Sequence, residues 1–183
     1  MRRLVECCAA FFANLATFCA SESSFAMKLY LVRHAHALSD AEDPTRPLSP
    51  KGREVALAMG RWLGAHAKPA VMEIWHSPLV RARETAELLA EGAHLKAPLR
   101  EAAGLLPEDA PDPMATALGR HGDSVMIVGH EPFLSVLAGQ LLGIASGGIE
   151  FQKGAMLCLE RGPRGTPWTL AWHVSPTIVV GDE

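Results

Sequence analysis

The sequence predicts an α/β fold of three layers, in which a mostly parallel, mixed sheet carries helices on both faces. Two patterns predict it. Three times an apolar, β-prone run is followed by a turn and then by apolar residues at helical spacing, as strand, turn and helix succeed one another in a parallel sheet. In the last third of the chain this gives way to two β-prone runs joined by a turn, which adds an antiparallel edge. With 183 residues, 49% hydrophobic and 20% charged, the chain has the length of one domain and enough apolar material for a core, which excludes a disordered or fibrous protein.

The first unit begins at Leu29 to Val32, a short buried-type strand that ends in Arg33-His34. A polar loop with Asp40, Glu42, Asp43, Pro44 and Pro47 leads to Ser49-Pro50. Here serine caps a helix and proline takes its first position, and Val55, Met59, Trp62 and Leu63 form the apolar stripe. In the second unit Val71 to Trp75 is the strand and Ser77-Pro78 repeats the cap. Ala82, Ala86 and Leu89 line one helix face; Arg83, Glu84, Glu87 and Glu91 line the other. The third runs from Val125 to Val128 through Gly129-His130-Glu131-Pro132 into a helix with Leu134, Leu137, Ala138 and Leu141 inward. Between the second and third units lie a Pro-rich stretch, Pro107 to Pro113, and a short helix, Met114 to Arg120; neither is long enough for a second domain. Met156 to Glu160 and Trp168 to Val174 read as a hairpin joined by residues 161 to 165.

Residues 1–26 read as an N-terminal extension and residues 27–183 as the domain. The extension starts Met-Arg-Arg and runs through an apolar segment, Cys7 to Ala20, broken by Asn14. That is shorter than the ~20 apolar residues a membrane-spanning helix needs, so no stable membrane association is expected. The reading adopted is a dispensable stretch, with Met27 opening directly as a strand. A surface helix, or a cleaved secretory signal with Arg2 and Arg3 as its basic region, are the other readings; Glu6 counts against the signal. Three of the four cysteines lie in this extension and only Cys158 lies in the domain, so no disulfide framework holds the domain and a reducing, cytoplasmic location is expected. Export is the alternative if the extension is a signal. Seventeen Lys plus Arg against twenty Asp plus Glu give a net charge of −3, without a block of like charge, and nucleic acid is not expected as a partner.

Chemistry concentrates where strands meet helices. Arg33 and His34, Ser77 to Arg81, and His130 occupy three such junctions, which converge on one rim in α/β folds. Arg81 falls in the first turn of its helix, where the dipole disfavours a cation by ~0.3–1 kcal/mol and a bound anion would reverse the sign. Lys51 and Arg53 stand in the same relation to the helix before it, but read as solvated surface cations. A neutral imidazole can attack phosphorus if its other nitrogen is held as N–H and donors neutralise the phosphoryl oxygens. His34, at a strand end, is the candidate nucleophile, Arg33 and Arg81 supply charge, and His130 adds a donor if protonated. His34-x-His36 with Asp40 and Asp43, or His130-Glu131, offers metal-ligand residue types, but neither matches a ligand pattern. No metal or cofactor is therefore expected, and the glycines lack the context of a nucleotide loop. His66, His76, His94, His121 and His173 read as ordinary surface or half-buried histidines.

Four segments in order resemble the histidine phosphatase, or phosphoglycerate mutase-like, superfamily: Leu31-Val32-Arg33-His34-Ala35, Leu48-Ser49-Pro50-Lys51-Gly52, Ser77-Pro78-Leu79-Val80-Arg81-Ala82-Arg83-Glu84-Thr85-Ala86, and Val128-Gly129-His130-Glu131-Pro132. Within it, the short length, Arg46-Pro47-Leu48 and the closing stretch from Trp168 to Pro176 are most similar to the SixA-type phosphohistidine phosphatases. The resemblance implies a phosphoglycerate mutase-like fold, His34 as phosphoryl acceptor, Arg33, Arg81 and His130 as the phosphate pocket, and Arg46 and Ser77 on the substrate side. It implies a phosphohistidine-bearing protein as substrate and a place in signal transduction. The superfamily signature often has glycine where this chain has Ala35. Glu108 falls in the region from which larger members draw a general acid, though a phosphohistidine, with its imidazole leaving group, places little demand on one. The alternatives are a small-molecule phosphomonoesterase or mutase of the same superfamily, and a non-catalytic phosphoprotein-binding module. A shallow rim, walled by the Asp40 to Pro47 loop and the Pro107 to Pro113 stretch, is expected to favour the protein substrate.

Overall fold

Strand β1 (Met27–Arg33) lies inside a six-stranded sheet, and its neighbours determine what can be built at its end. In the computed structural model, which describes residues 27–144, 148–163 and 165–181, the order is β3 (Leu99–Glu101), β2 (Glu73–His76), β4 (Val125–Gly129), β1, β5 (Met156–Arg161), β6 (Thr169–Val174). The first four strands run parallel, whereas β5 is antiparallel to β1 and β6 to β5. Every residue of β4 is buried, as are five of the seven residues of β1, which explains why both read as continuous apolar runs rather than alternating ones.

Alternate residues of these strands feed two cores. Leu29, Leu31, Val125, Ile127, Leu157 and Leu159 meet α3 (Asp112–Arg120) and α4 (Phe133–Leu142) through Met114, Leu118, Phe133, Leu134 and Leu137. Tyr30, Val32, Ile74, Met126, Val128 and Cys158 meet α1 (Pro50–His66) and α2 (Val80–Gly92) on the other face through Met59, Leu63, Ala86 and Leu89. A last short helix, α5 (Pro176–Val180), packs beside α1. The predicted three-layer, mixed α/β arrangement is thus the observed one. Cys158 is a free, buried thiol, and burial pushes it up to about 12.

Local chemistry fixes where the first two helices begin. Ser49 caps α1, its Oγ accepting from Gly52 N at 3.1 Å, with Pro50 in the first turn. Gly52 has no alternative there, because a β-carbon would overlap the carbonyl oxygen of His36. Glu84 on α2 ties the same corner to its neighbour, accepting from Leu48 N at 2.7 Å and pairing with Arg53 at 2.9 Å. Arg53 is therefore not the loose surface cation expected from its own helix; its partner lies 31 residues away in sequence. The second cap also differs from expectation. Helix α2 starts at Val80 with Leu79 as its N-cap residue and no side-chain cap; the Ser77 oxygen accepts only a long bond from Leu79 N, at 3.4 Å, and lies 2.8 Å from His130 Nε2. Strand β2 correspondingly runs from Glu73 to His76 rather than from Val71. Strand β3 and helix α5 were not anticipated. The first is three exposed residues and the second five residues long, too short for either periodicity to register. The reading of residues 1–26 lies outside the described residues.

Candidate active site

Strand register brings the three junctions to one level. Arg33 pairs with Gly129 and His76 with Val128, so His34, His130 and Ser77 leave adjacent strands side by side. The rings of His34 and His130 lie 5.0 Å apart between centroids. His34 is 7% exposed, His130 1% and Ser77 0%.

His34 is held in one tautomer. Its Nδ1 lies 2.7 Å from the carbonyl oxygen of Ala35; a carbonyl only accepts, so Nδ1 carries the proton and Nε2 keeps its lone pair. Burial pushes the His34 pKa down to about 3, His130, Arg81 and Arg33 add to the fall, and the Ala35 carbonyl opposes it. The imidazole is therefore neutral at physiological pH and its free nitrogen is a competent nucleophile. The Ala35 methyl does not intrude: Ala35 is fully buried in a small cluster with Leu48 and Ala56.

Donors gather near this ring: Arg33 and Arg81 act on it electrostatically and the His130 ring lies beside it. Arg33 is fixed from below, one guanidinium nitrogen donating to Phe151 O at 2.5 Å, while its Nε is buried without a protein partner among the described residues. The Nε of Arg81 is in the same condition, and so is Nδ1 of His130. Donors of this kind, collected at strand ends and at a helix start, are the means of holding a multiply charged anion. Burial lowers the Arg81 pKa, with Arg46 adding to the fall and Asp40 opposing it. Arg46, whose charge Arg81 feels, has a positive φ of 51° and is held by contacts to Leu38 O and Asp40. Burial also pushes His130 down to about 4, with Arg81 and Arg33 contributing.

Two expected members stand differently. Ser77, read as a substrate contact, is wholly buried, and its Oγ lies 2.8 Å from His130 Nε2; its side chain reaches the site through the histidine. Glu108 is exposed on a turn held by Asp109, whose carboxylate accepts from Leu106 N at 2.7 Å. The turn abuts the end of β4 at Gly129 through Leu105. Among the described residues Glu108 forms no ion pair. The residues read as a metal alternative are dispersed: His36 bonds Ser49, Asp43 bonds Thr45 and Asp40 pairs with Arg46.

Sequence reasoning missed Thr85 and the loop before β5. Thr85 Oγ1 donates to Arg81 O at 2.6 Å and accepts from Ala35 N at 3.1 Å, tying the His34 turn to the helix that carries Arg81. Gly154 N donates to the carbonyls of both Arg33 and His34. A cavity of about 630 Å³ opens beside Arg33, lined among others by His36, Lys51, Val55, Phe151 and Lys153. Its walls are α1, residues 150–153 and α5, and His34, Arg81 and His130 are not among the residues that line it.

A mixed sheet whose parallel strands bring His34, His130 and Arg33 to one rim, where a helix start adds Arg81 and one imidazole is held neutral, defines a phosphate-handling α/β enzyme. The comparisons agree. Residues 29–106 match the histidine phosphatase superfamily (branch 1). An uncharacterized protein of Mycobacterium tuberculosis is 39% identical over 122 residues, which is 62% of this chain and 72% of that one. Phosphohistidine phosphatase SixA of Escherichia coli K12 is 28% identical over 160 residues, 82% of this chain and 94% of that protein. The structure of the protein histidine phosphatase SixA complexed with tungstate superposes with a TM-score of 0.74 at 25% identity, covering 83% of this chain and 99% of that one. The chain belongs to the histidine phosphatase superfamily, and the similarity supports phosphatase activity.

Proposed function

We propose that the protein hydrolyses phosphohistidine on a partner protein through a covalent phosphohistidine on His34. The observation that carries this reading is the His34 imidazole, its Nδ1–H committed to Ala35 O and its Nε2 free beside Arg33, Arg81 and His130. Nε2 attacks phosphorus; the bond from phosphorus to the substrate nitrogen breaks, and that imidazole leaves with its electron pair and takes a proton. Water then attacks the phosphorus on His34, the P–Nε2 bond breaks, inorganic phosphate departs and the neutral imidazole returns. Arg33, Arg81 and His130 neutralise the equatorial oxygens through both steps, and Arg46 contacts the substrate side. An imidazole leaving group is far less basic than an alkoxide, so an exposed Glu108, or water, suffices as acid. The scheme assigns no step to a metal, and a cytoplasmic setting suits such a partner.

The experiment is rapid quench with a phosphohistidine carrier protein, in chelator. Acid-labile, base-stable phosphate is expected on His34, absent in His34→Ala, with kcat/KM exceeding that for small phosphomonoesters at least ~100-fold, about 2.7 kcal/mol of transition-state discrimination. Comparable constants for the two substrate classes would select the second reading, a small-molecule phosphomonoesterase. Restoration of a chelated, inactive enzyme by a divalent ion would overturn the scheme.

A further inference from the structure

We infer that Ser77 is a positioning residue that fixes the tautomer of His130, so that a neutral His130 presents Nδ1–H to the phosphoryl group. The inference rests on phosphoryl transfer at this site and concerns how its second histidine donates.

A count of donors and acceptors carries it. The Ser77 hydroxyl is wholly buried, so solvent does not satisfy it. Its oxygen already accepts, weakly, from Leu79 N at 3.4 Å. The hydroxyl proton needs an acceptor, and among the described residues the one within reach is His130 Nε2, at 2.8 Å. If Nε2 carried the proton instead, Ser77 would accept twice and its own proton would be buried unpaired, which costs ~1–3 kcal/mol. The bond therefore runs from Ser77 Oγ–H to Nε2, and the proton of the neutral ring resides on Nδ1. That is the buried nitrogen with no protein partner, on the ring that lies beside His34.

The same bond opposes an imidazolium, whose Nε2–H would displace the serine proton. The charged groups acting on His130 point the same way: Arg81 and Arg33 both disfavour a further positive charge, and His34 is itself neutral at that pH. Glu131, the next residue in the chain, accepts from Ser135 at one carboxylate oxygen, and its other oxygen is buried without a protein partner among the described residues; the charges that act on His130 are those of Arg81 and Arg33. His130 is thus a donor without being an acid, and its contribution persists through neutral pH.

The test reads the tautomer directly. In wild-type protein labelled with ¹⁵N-histidine, and assigned by comparison with His130→Gln, two-bond ¹H–¹⁵N spectra between pH 5.5 and 8 should show His130 protonated at Nδ1 and bare at Nε2. A proton on Nε2, or on both nitrogens at pH 7, would overturn the inference. In Ser77→Ala the His130 signals should move toward the Nε2–H tautomer, and kcat/KM should fall at least ~10-fold, the direction expected for losing one aligned donor. An unchanged tautomer or an unchanged kcat/KM in that variant would also overturn it. A phosphorylated His34 found together with His130 protonated on Nε2 defeats this inference alone; the proposed tautomer without phosphorylation of His34 defeats the proposed function alone.

Discussion

At the scale of single residues, the proposed function separates groups that would hold the phosphoryl charge from groups that merely stand near it. Arg81 has its Nε buried and unpartnered beside two histidines, whereas Lys51 lines the cavity at its exposed rim. Arg81→Ala should therefore cost about 2–4 kcal/mol in kcat/KM, the scale of losing a pre-organised donor, and Lys51→Ala much less. Steady-state kinetics on both variants decides it, and equal losses would mean the pocket is misplaced. Arg46→Ala should lower the rate on a phosphohistidine protein more than the rate on a small ester. Most of this site was legible in the chain, because His34, His130 and Arg81 each directly follow or open an element whose own pattern is strong. The role of Ser77 was not. A serine followed by proline reads as a helix cap, and only the register of β2 against β4 reveals that its hydroxyl meets a ring from another strand.

Among the elements, α1 is held closely on two sides, by the loop after β1 and by α2. Gly52 packs against the backbone of His36, and a methyl group on Gly92 would come within 2.5 Å of Leu57 O. Backbone cannot swing aside as a side-chain tip can, so Gly52→Ala should lose about 1–3 kcal/mol of stability. Gly119, near the end of α3, has no atom within 4 Å of the same added carbon. Gly119→Ala should gain up to ~1 kcal/mol from helix propensity alone. Urea denaturation of the pair checks both, and a destabilising Gly119→Ala would contradict the packing described here. The long helices were readable from their stripes and from Ser49-Pro50. Strand β3 and helix α5 were not, since short exposed segments owe their form to the neighbours that accept them rather than to a pattern of their own.

For the molecule as a whole, two imidazoles buried in neutral form make folding depend on pH. An unfolded histidine titrates near 6.5, and in the fold these two do so at about 3 and about 4. Between those values the unfolded chain binds more protons, so stability is complete above pH 6.5 and falls as the solution is acidified, by up to ~1.4 kcal/mol per pH unit for each group. Urea midpoints from pH 7.5 to 4.5 should record this slope, and His130→Gln should flatten it; a midpoint constant from pH 7 to 5 would argue that the rings are solvated. The reversal of direction between β1 and β5 has a different kind of consequence. On the β4 side of Arg33 the rim is made by a strand delivering His130, whereas on the other side it is made by a loop, residues 150 to 155, that reaches Arg33 and His34 through main-chain contacts from Gly154 and Ala155. Main-chain contacts place few demands on side-chain identity. Exposed positions such as Gln152 and Lys153 can therefore drift while the phosphate chemistry stays intact, which makes this loop the place where descendants of one catalytic ancestor could come to prefer different substrates.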